Sequence, residues 1–104
     1  MRAGDVLRCD FGTPARGEPG FLRPAVVVTA DEVLEFEQHA IAVVPCTTTR
    51  RHWLSEVEIA DFGVAQTHLV TTISIDRVVD ATGPNVGPVT LQQIRELLAD
   101  LLGI

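Results

Sequence analysis

Apolar residues fall in short runs separated by polar, glycine- or proline-marked breaks, a spacing that predicts a chain built mostly of short strands. Residues 4–11, GDVLRCDF, read as a first strand, and RPAVVVTA at 23–30 as a second, with Pro24 near its start, where a missing N–H is tolerated. AIAVVPC at 40–46 is a continuous apolar run of the kind buried on both faces. In SEVEIADF, 55–62, Val57 and Ile59 alternate with Glu56 and Glu58, so one face is wet. HLVTTISI at 68–75 and RVVD at 77–80 complete the strand set. Two segments have helical character. DEVLEFEQH, 31–39, predicts a short helix capped by Thr29 or Asp31. At the C-terminal end Leu91, Ile94, Leu97, Leu98, Leu101 and Leu102 form one apolar stripe, with Thr90 and Gln93 as a capping box and Gly103 as the stop. The expected architecture is a small, mainly β barrel or half-barrel with a short helix and a C-terminal amphipathic helix across it, in one domain spanning 1–104.

Composition narrows the class. At 104 residues and 46% hydrophobic content the chain can bury one core without staples. Two cysteines, Cys9 and Cys46, make no disulfide framework, and a reduced cytoplasmic setting is the default. No apolar block suits a signal peptide or a membrane span. The formal net charge of −6 argues against nonspecific coating of nucleic acid. All 8 basic residues are arginine, and six lie in the first half, while acids concentrate elsewhere, notably in DEVLEFE at 31–37. Missing lysine is explained first by genome composition, yet arginine is also the side chain that grips phosphate bidentately.

Candidate chemistry gathers in two places. The loop GTPARGEPG, 12–20, is long for so small a chain and carries Arg16 and Glu18. It leads into Arg23, which Pro24 holds in extended geometry at a loop–strand junction. The stretch VVPCTTTRRHW, 43–53, places Thr47, Thr48 and Thr49, then Arg50, Arg51 and His52, directly after a buried strand. Thr47 and Thr49 share one strand face and Thr48 takes the other. Any one of these residues, alone, reads as a strand reaching the surface or a solvated charge. Together they offer hydroxyl donors, fixed positive charge and one imidazole of near-neutral pKa beside each other. His39 and His68 read as a helix-end and a strand-surface residue. The cysteines and histidines lack zinc spacing, so no metal and no cofactor are expected, and phosphate-loop, dinucleotide and serine-elbow motifs are absent.

In order, the strand ending in DF, the RGEPG loop, LRPAVVV, VVPCTT and EVEI, followed by the apolar helix, resemble the MazF/PemK (Kid) toxins of type II toxin–antitoxin systems over nearly the whole chain. The resemblance implies an SH3-like small barrel of the PemK/CcdB-like toxin fold and a cytoplasmic homodimer with an RNA groove across its interface. It implies a cognate antitoxin that covers this surface with an acidic, mostly disordered tail. The implied activity is metal-independent, sequence-specific cleavage of single-stranded RNA, in which a ribose 2′-OH attacks the adjacent phosphate and leaves a 2′,3′-cyclic phosphate and a 5′-OH.

Matched motif by motif, the catalytic residues are Arg23, from the RP motif, and Thr47, after the VPC strand end. Glu18 falls at the family's loop acid, with Pro19 where a glutamine is usual. Arg16, Thr48, Thr49, Arg50, Arg51 and His52 are the expected substrate-binding set. Arginine is a poor general base because it stays protonated. Arg23 is therefore expected to stabilise transition-state charge and Thr47 to position the phosphate or the 2′-OH. The base is Glu18, His52 or a group the sequence does not identify. The family's acid–Gln–Ile/Val–Arg run is replaced here by TTISIDR, with Ser74 and Asp76 at the glutamine and arginine places. The terminal LLGI also resembles the CcdB-type gyrase poisons, so a gyrase-directed toxin, or a catalytically lost antitoxin-binding module, are the alternative readings.

Overall fold

A computed structural model describes residues 1–104. Seven strands form one antiparallel sheet: β1 Val6–Asp10, β2 Leu22–Val27, β3 Ala40–Thr47, β4 Glu56–Ile59, β5 Gly63–Gln66, β6 Thr71–Ser74 and β7 Val78–Asp80. The order is β4-β5-β3-β2-β1-β7, with β6 also on β3. The two helices are α1, Asp31–Leu34, and α2, Pro88–Leu102. The mainly β class with a C-terminal helix is as expected. The sheet, however, is open, because β4 and β7 are its two ends and do not pair, so the half-barrel is the form adopted.

Strand β3 organises the sheet. Its one edge carries β2, and its other edge carries β6 on Ala40–Val43 and β5 on Cys46–Thr47. Val28 N–H donates to the Ala42 carbonyl at 3.0 Å, so the even residues of β3 direct their backbone groups to β2 and the odd ones to β5 and β6. The N–H that Pro45 lacks would therefore point into the gap between β6 and β5, where no strand requires it. A proline is tolerated at the middle of the sheet for this reason.

Both faces of the central strands are buried, as the unbroken apolar run in β3 predicts. One face packs Val6, Val26, Val44, Cys46, Val57, Ile59, Ala65 and the fully buried Ile94 of α2. The other packs Leu7, Cys9, Ala25, Val27, Ile41, Val43 and Ile73, with Leu34 of α1 against it. The α2 stripe is buried at Leu91 and Ile94 and fades to 51% exposure at Leu101 and 63% at Leu102.

Several local expectations are corrected. The helix expected over 31–39 stops at Leu34, because Gln38 Nε2 donates to the carbonyls of Val33 and Phe36 at 2.8 and 3.1 Å and closes the turn. Its N-cap is Ala30, with no side-chain cap. Thr29 and Asp31 instead accept from the N–H groups of Ala42 and Ala3, tying this turn to β3 and to the N-terminal segment. Helix α2 begins earlier than the Thr90 capping box, with Gly87 at the N-cap and Pro88 opening the helix, where its missing N–H has no intrahelical partner to lose. Its left-handed stop at Gly103 is as read. The strand expected over 68–75 is interrupted by a 3₁₀ turn at Thr67–Leu69, and β5 was not anticipated.

Candidate active site

Pro24 also shapes a strand end. Val27 N–H bonds to Asp5 of the chain segment entering β1, so the odd residues of β2 face β1 and the even ones face β3. The N–H missing at Pro24 is thus one that the β2–β3 ladder would use, and that ladder ends at the pair Ala25–Pro45. Strand β2 continues beside β1 as far as Leu22. Continuing the β2–β3 register by two residues sets Arg23 across from Thr47, which in turn lies opposite Val64 of β5. The two motifs RP and VPCTT therefore meet on one sheet face, just beyond the last β2–β3 pair. At this end residues 20–24 and 46–48 open a cleft of about 560 Å³, closed on its remaining sides by Arg8, Asp61 and Phe62.

Arg23 is half-buried, and two neutral acceptors hold it. Its Nε donates to the Gly20 carbonyl at 3.0 Å and its Nη1 to Gln66 Oε1 at 3.3 Å. Thr47 Oγ1 accepts the N–H of Thr49 at 3.2 Å, which fixes the hydroxyl and leaves its hydrogen available to donate. Gly63 packs against this strand end so closely that a Cβ there would lie 2.2 Å from the Thr47 carbonyl oxygen. Beneath Thr47, the Cys46 thiol is pushed up to about 12 by burial, with the Arg23 charge pulling in the opposite direction. Backbone strain concentrates nearby. Phe21, His52 and Asp61 are the three non-glycine residues at positive φ, and Phe21 and Asp61 line the cleft.

The other sequence-predicted residues are distributed less tightly. The loop 12–20 is stitched at its base by Phe11 N–H to Phe21 carbonyl and Phe21 N–H to Gly12 carbonyl. Within it Glu18 Oε1 accepts the Ala15 N–H at 2.7 Å, and Arg16 is exposed. Glu18 lines a separate concavity of about 230 Å³ against Thr71, Thr72, Ser74 and Arg77, not the cleft beside Thr47. Thr48 lines the main cleft, and Thr49 is exposed beyond it. Arg50 turns to β4 and makes a two-point ion pair with Glu58, at 2.6 and 2.9 Å, which holds the Glu58 carboxyl below its usual range. The Arg51 N–H bonds to the Glu56 carboxylate, and its guanidinium stands over Trp53, 5.4 Å from the ring centroid. His52, exposed and at φ 58°, sits between them on the same excursion. The structure thus brings together Arg23, Thr47 and Thr48, and routes Arg50, Arg51 and His52 along β4. Gln66 and Gly63 were not anticipated. Their only sequence signal is a glutamine in an otherwise apolar four-residue strand and a glycine at its start.

No cluster of three or more histidine, cysteine, aspartate or glutamate side chains is arranged to hold a metal ion, and no helix is long and apolar enough to cross a membrane.

The sheet is open and antiparallel, α2 closes one of its faces, and Arg23 and Thr47 lie at strand ends on the other. MazF from Deinococcus radiodurans superimposes with a TM-score of 0.88 at 20% identity, covering 100% of this chain and 97% of its own. An endoribonuclease from a mycobacterial species gives 0.79 at 25% identity, covering 100% and 92%. An endoribonuclease in complex with its cognate antitoxin, also mycobacterial, gives 0.75 at 24% identity, covering 100% and 96%. The model of the family described as PemK-like, MazF-like toxin of type II toxin–antitoxin system matches residues 2–102, and the chain belongs to that family.

Proposed function

We propose that this toxin is a metal-independent, sequence-specific endoribonuclease acting on single-stranded RNA in the cytoplasm. The observation that carries the reading is the placement of Arg23 across from Thr47 on one sheet face beside an open cleft. The 2′-oxygen of a bound ribose attacks the adjacent phosphorus, the bond from phosphorus to the 5′-oxygen breaks, and a 2′,3′-cyclic phosphate forms. The proton leaving the 2′-OH passes to a base, and the departing 5′-oxygen takes one up to end as a 5′-OH. Arg23 contributes N–H donors and a fixed charge to the crowded phosphoryl oxygens, an effect worth about 3–4 kcal/mol for a well-placed donor. The Thr47 hydroxyl donates to the phosphate or orients the 2′-OH. The candidates for the base are Glu18, the acid of the 12–20 loop, which lines the neighbouring concavity, His52, and a group that neither motif supplies.

As a homodimer, the protein would join two such sheets along one groove. An antitoxin with an acidic disordered tail is the fitting inhibitor. Carboxylates complement Arg16, Arg23 and Arg51, and exposed Phe21, Leu22, Trp53 and Leu54 offer apolar anchors around the site. The mycobacterial endoribonuclease described above, a structural relative, is in complex with its cognate antitoxin, which supports an antitoxin as partner.

The test is a panel of short RNAs incubated with purified protein and chelator, with product ends read by mass spectrometry. Cyclic phosphate ends that disappear in Arg23→Ala and Thr47→Ala are expected. Intact RNA across a panel covering all short sequences refutes the assignment. A pH–rate profile flat through the carboxylate and histidine ranges removes both Glu18 and His52 as the base.

A further inference from the structure

Gln66 is one of two polar side chains in the buried set, at 4% exposure. The other, Thr67, is accounted for by its hydroxyl donating to the Ser55 carbonyl at 2.6 Å. A buried amide among Val64, Ala65 and the facing strand is unfavourable unless its polar atoms are bonded. The side-chain partner of Gln66 is Arg23. These residues sit on strands that flank β3 on opposite edges, about 9–10 Å apart at two strand spacings. The Arg23 side chain must therefore cross the face of β3 to reach Gln66, and that face carries Thr47.

We propose that Gln66 is a positioning residue that draws the Arg23 guanidinium across β3 to the side of Thr47 without neutralising it. The inference rests on Arg23 acting at the phosphate as proposed above. A guanidinium has five N–H donors, of which Gly20 and Gln66 engage two on this side, so three remain for phosphoryl oxygens. Both acceptors are uncharged. The contrast with Arg50, whose charge is matched by the Glu58 carboxylate, shows what a glutamate at position 66 would do. It would hold the same geometry and cancel the charge that the reaction uses.

The experiment compares Gln66→Leu and Gln66→Glu with the parent protein, in kcat, KM, melting temperature and pH profile, on an RNA the parent cleaves. Gln66→Leu is expected to melt no lower than the parent and to lose about 10–100-fold in kcat, the scale of a misplaced catalytic group. The same change made in Arg23→Lys is expected to cost far less, because the partner being positioned is gone. Gln66→Glu is expected to be impaired at neutral pH and to recover relative to the parent as the pH falls and the introduced carboxylate is protonated, a signature that a purely structural role would not produce. Parent-like kcat in Gln66→Leu overturns the proposal, as does an equal loss in the Arg23→Lys background or a Gln66→Glu profile parallel to that of the parent. Full activity in Arg23→Ala removes the reading on which the proposal rests, whereas an inactive Arg23→Ala beside a fully active Gln66→Leu removes the positioning role alone.

Discussion

Gly63→Ala tests whether the β4–β5 turn holds Thr47 in place. Gly63 has φ +85°, and an added Cβ would lie 2.2 Å from the Thr47 carbonyl oxygen, 2.8 Å from the Thr47 carbonyl carbon and 3.0 Å from Thr48 Cα. All three are backbone atoms, so no flexible side chain can yield. Gly17 provides the control, with the same φ of +85° and nothing within 4 Å of an added Cβ. Both alanines carry the left-handed backbone cost of about 1–2 kcal/mol. Only Gly63→Ala adds the overlap, which forces the strand end to move at about 1–3 kcal/mol more. With a difference of about 2 kcal/mol and ~4–8 °C per kcal/mol for a chain of this size, Gly63→Ala is expected to melt roughly 8–16 °C below Gly17→Ala. A Thr47 shifted by even ~1 Å is expected to cleave RNA up to ~100-fold more slowly. Thermal melts by circular dichroism and a cleavage time course on one RNA provide both readings. Equal melting of the two variants, with parent-like cleavage by Gly63→Ala, would refute the argument that close packing at Gly63 fixes the site.

Three further predictions follow from other parts of the molecule. Burial pushes the Cys9 and Cys46 thiols up to about 11 and about 12 from an ordinary value of 9.0, so above pH 9 the unfolded chain releases protons that the native one retains. Stability is therefore expected to fall between pH 9 and 11 by about 1.4 kcal/mol per pH unit for each cysteine, and denaturant titrations of Cys9→Ala with Cys46→Ala should show a flatter decline; an identical decline refutes the assignment. Glu58→Gln is expected to release Arg50 from its two-point pair, raising the salt dependence of RNA affinity by about 0.7 in log–log slope if Arg50 then meets one phosphate; an unchanged slope places Arg50 away from the RNA path. Truncation of fully buried Ile94 to alanine is expected to cost about 2–5 kcal/mol in urea unfolding, since α2 closes one face of the sheet through it, and a loss well under 1 kcal/mol would mean that α2 contributes little to the core.

The strand content, the buried character of β3 and the α2 stripe were legible because each is written as a hydrophobic period several residues long. What escaped was local competition. Gln38 ends α1 by bonding carbonyls that a longer helix would have used, and nothing in the periodicity of 31–39 signals that. Strand β5 begins at Gly63 after Asp61 and Phe62, a run that reads as a turn, and only pairing with β3 and β4 makes it a strand. At the site, Arg23 and Thr47 were legible as separate motifs. Gln66 was not, because a glutamine reveals its role only once β3 is known to lie between it and Arg23.

Proline explains why two such short motifs define one site. An arginine before Pro24 and a threonine two residues after Pro45 have no reason to meet in sequence, being more than twenty residues apart. In the fold each proline withholds an N–H from one edge of its strand. At Pro45 the gap separates β6 from β5 along β3, so that β5 can bring Gln66 and Gly63 to the end of β3. At Pro24 the missing donor ends the β2–β3 ladder at Ala25–Pro45, two positions short of Arg23. A continued ladder would have left that end of the sheet closed by backbone hydrogen bonds. Its early end leaves a strand terminus that β1 still supports on one side and that is open on the other, where the proposed RNA substrate would meet an arginine already held by neutral acceptors. Replacing Pro24 by alanine restores the donor, and the cleft is expected to narrow: RNA cleavage should fall while melting temperature holds or rises. Parent-like cleavage by Pro24→Ala would show that the proline's missing N–H is not what keeps the site open.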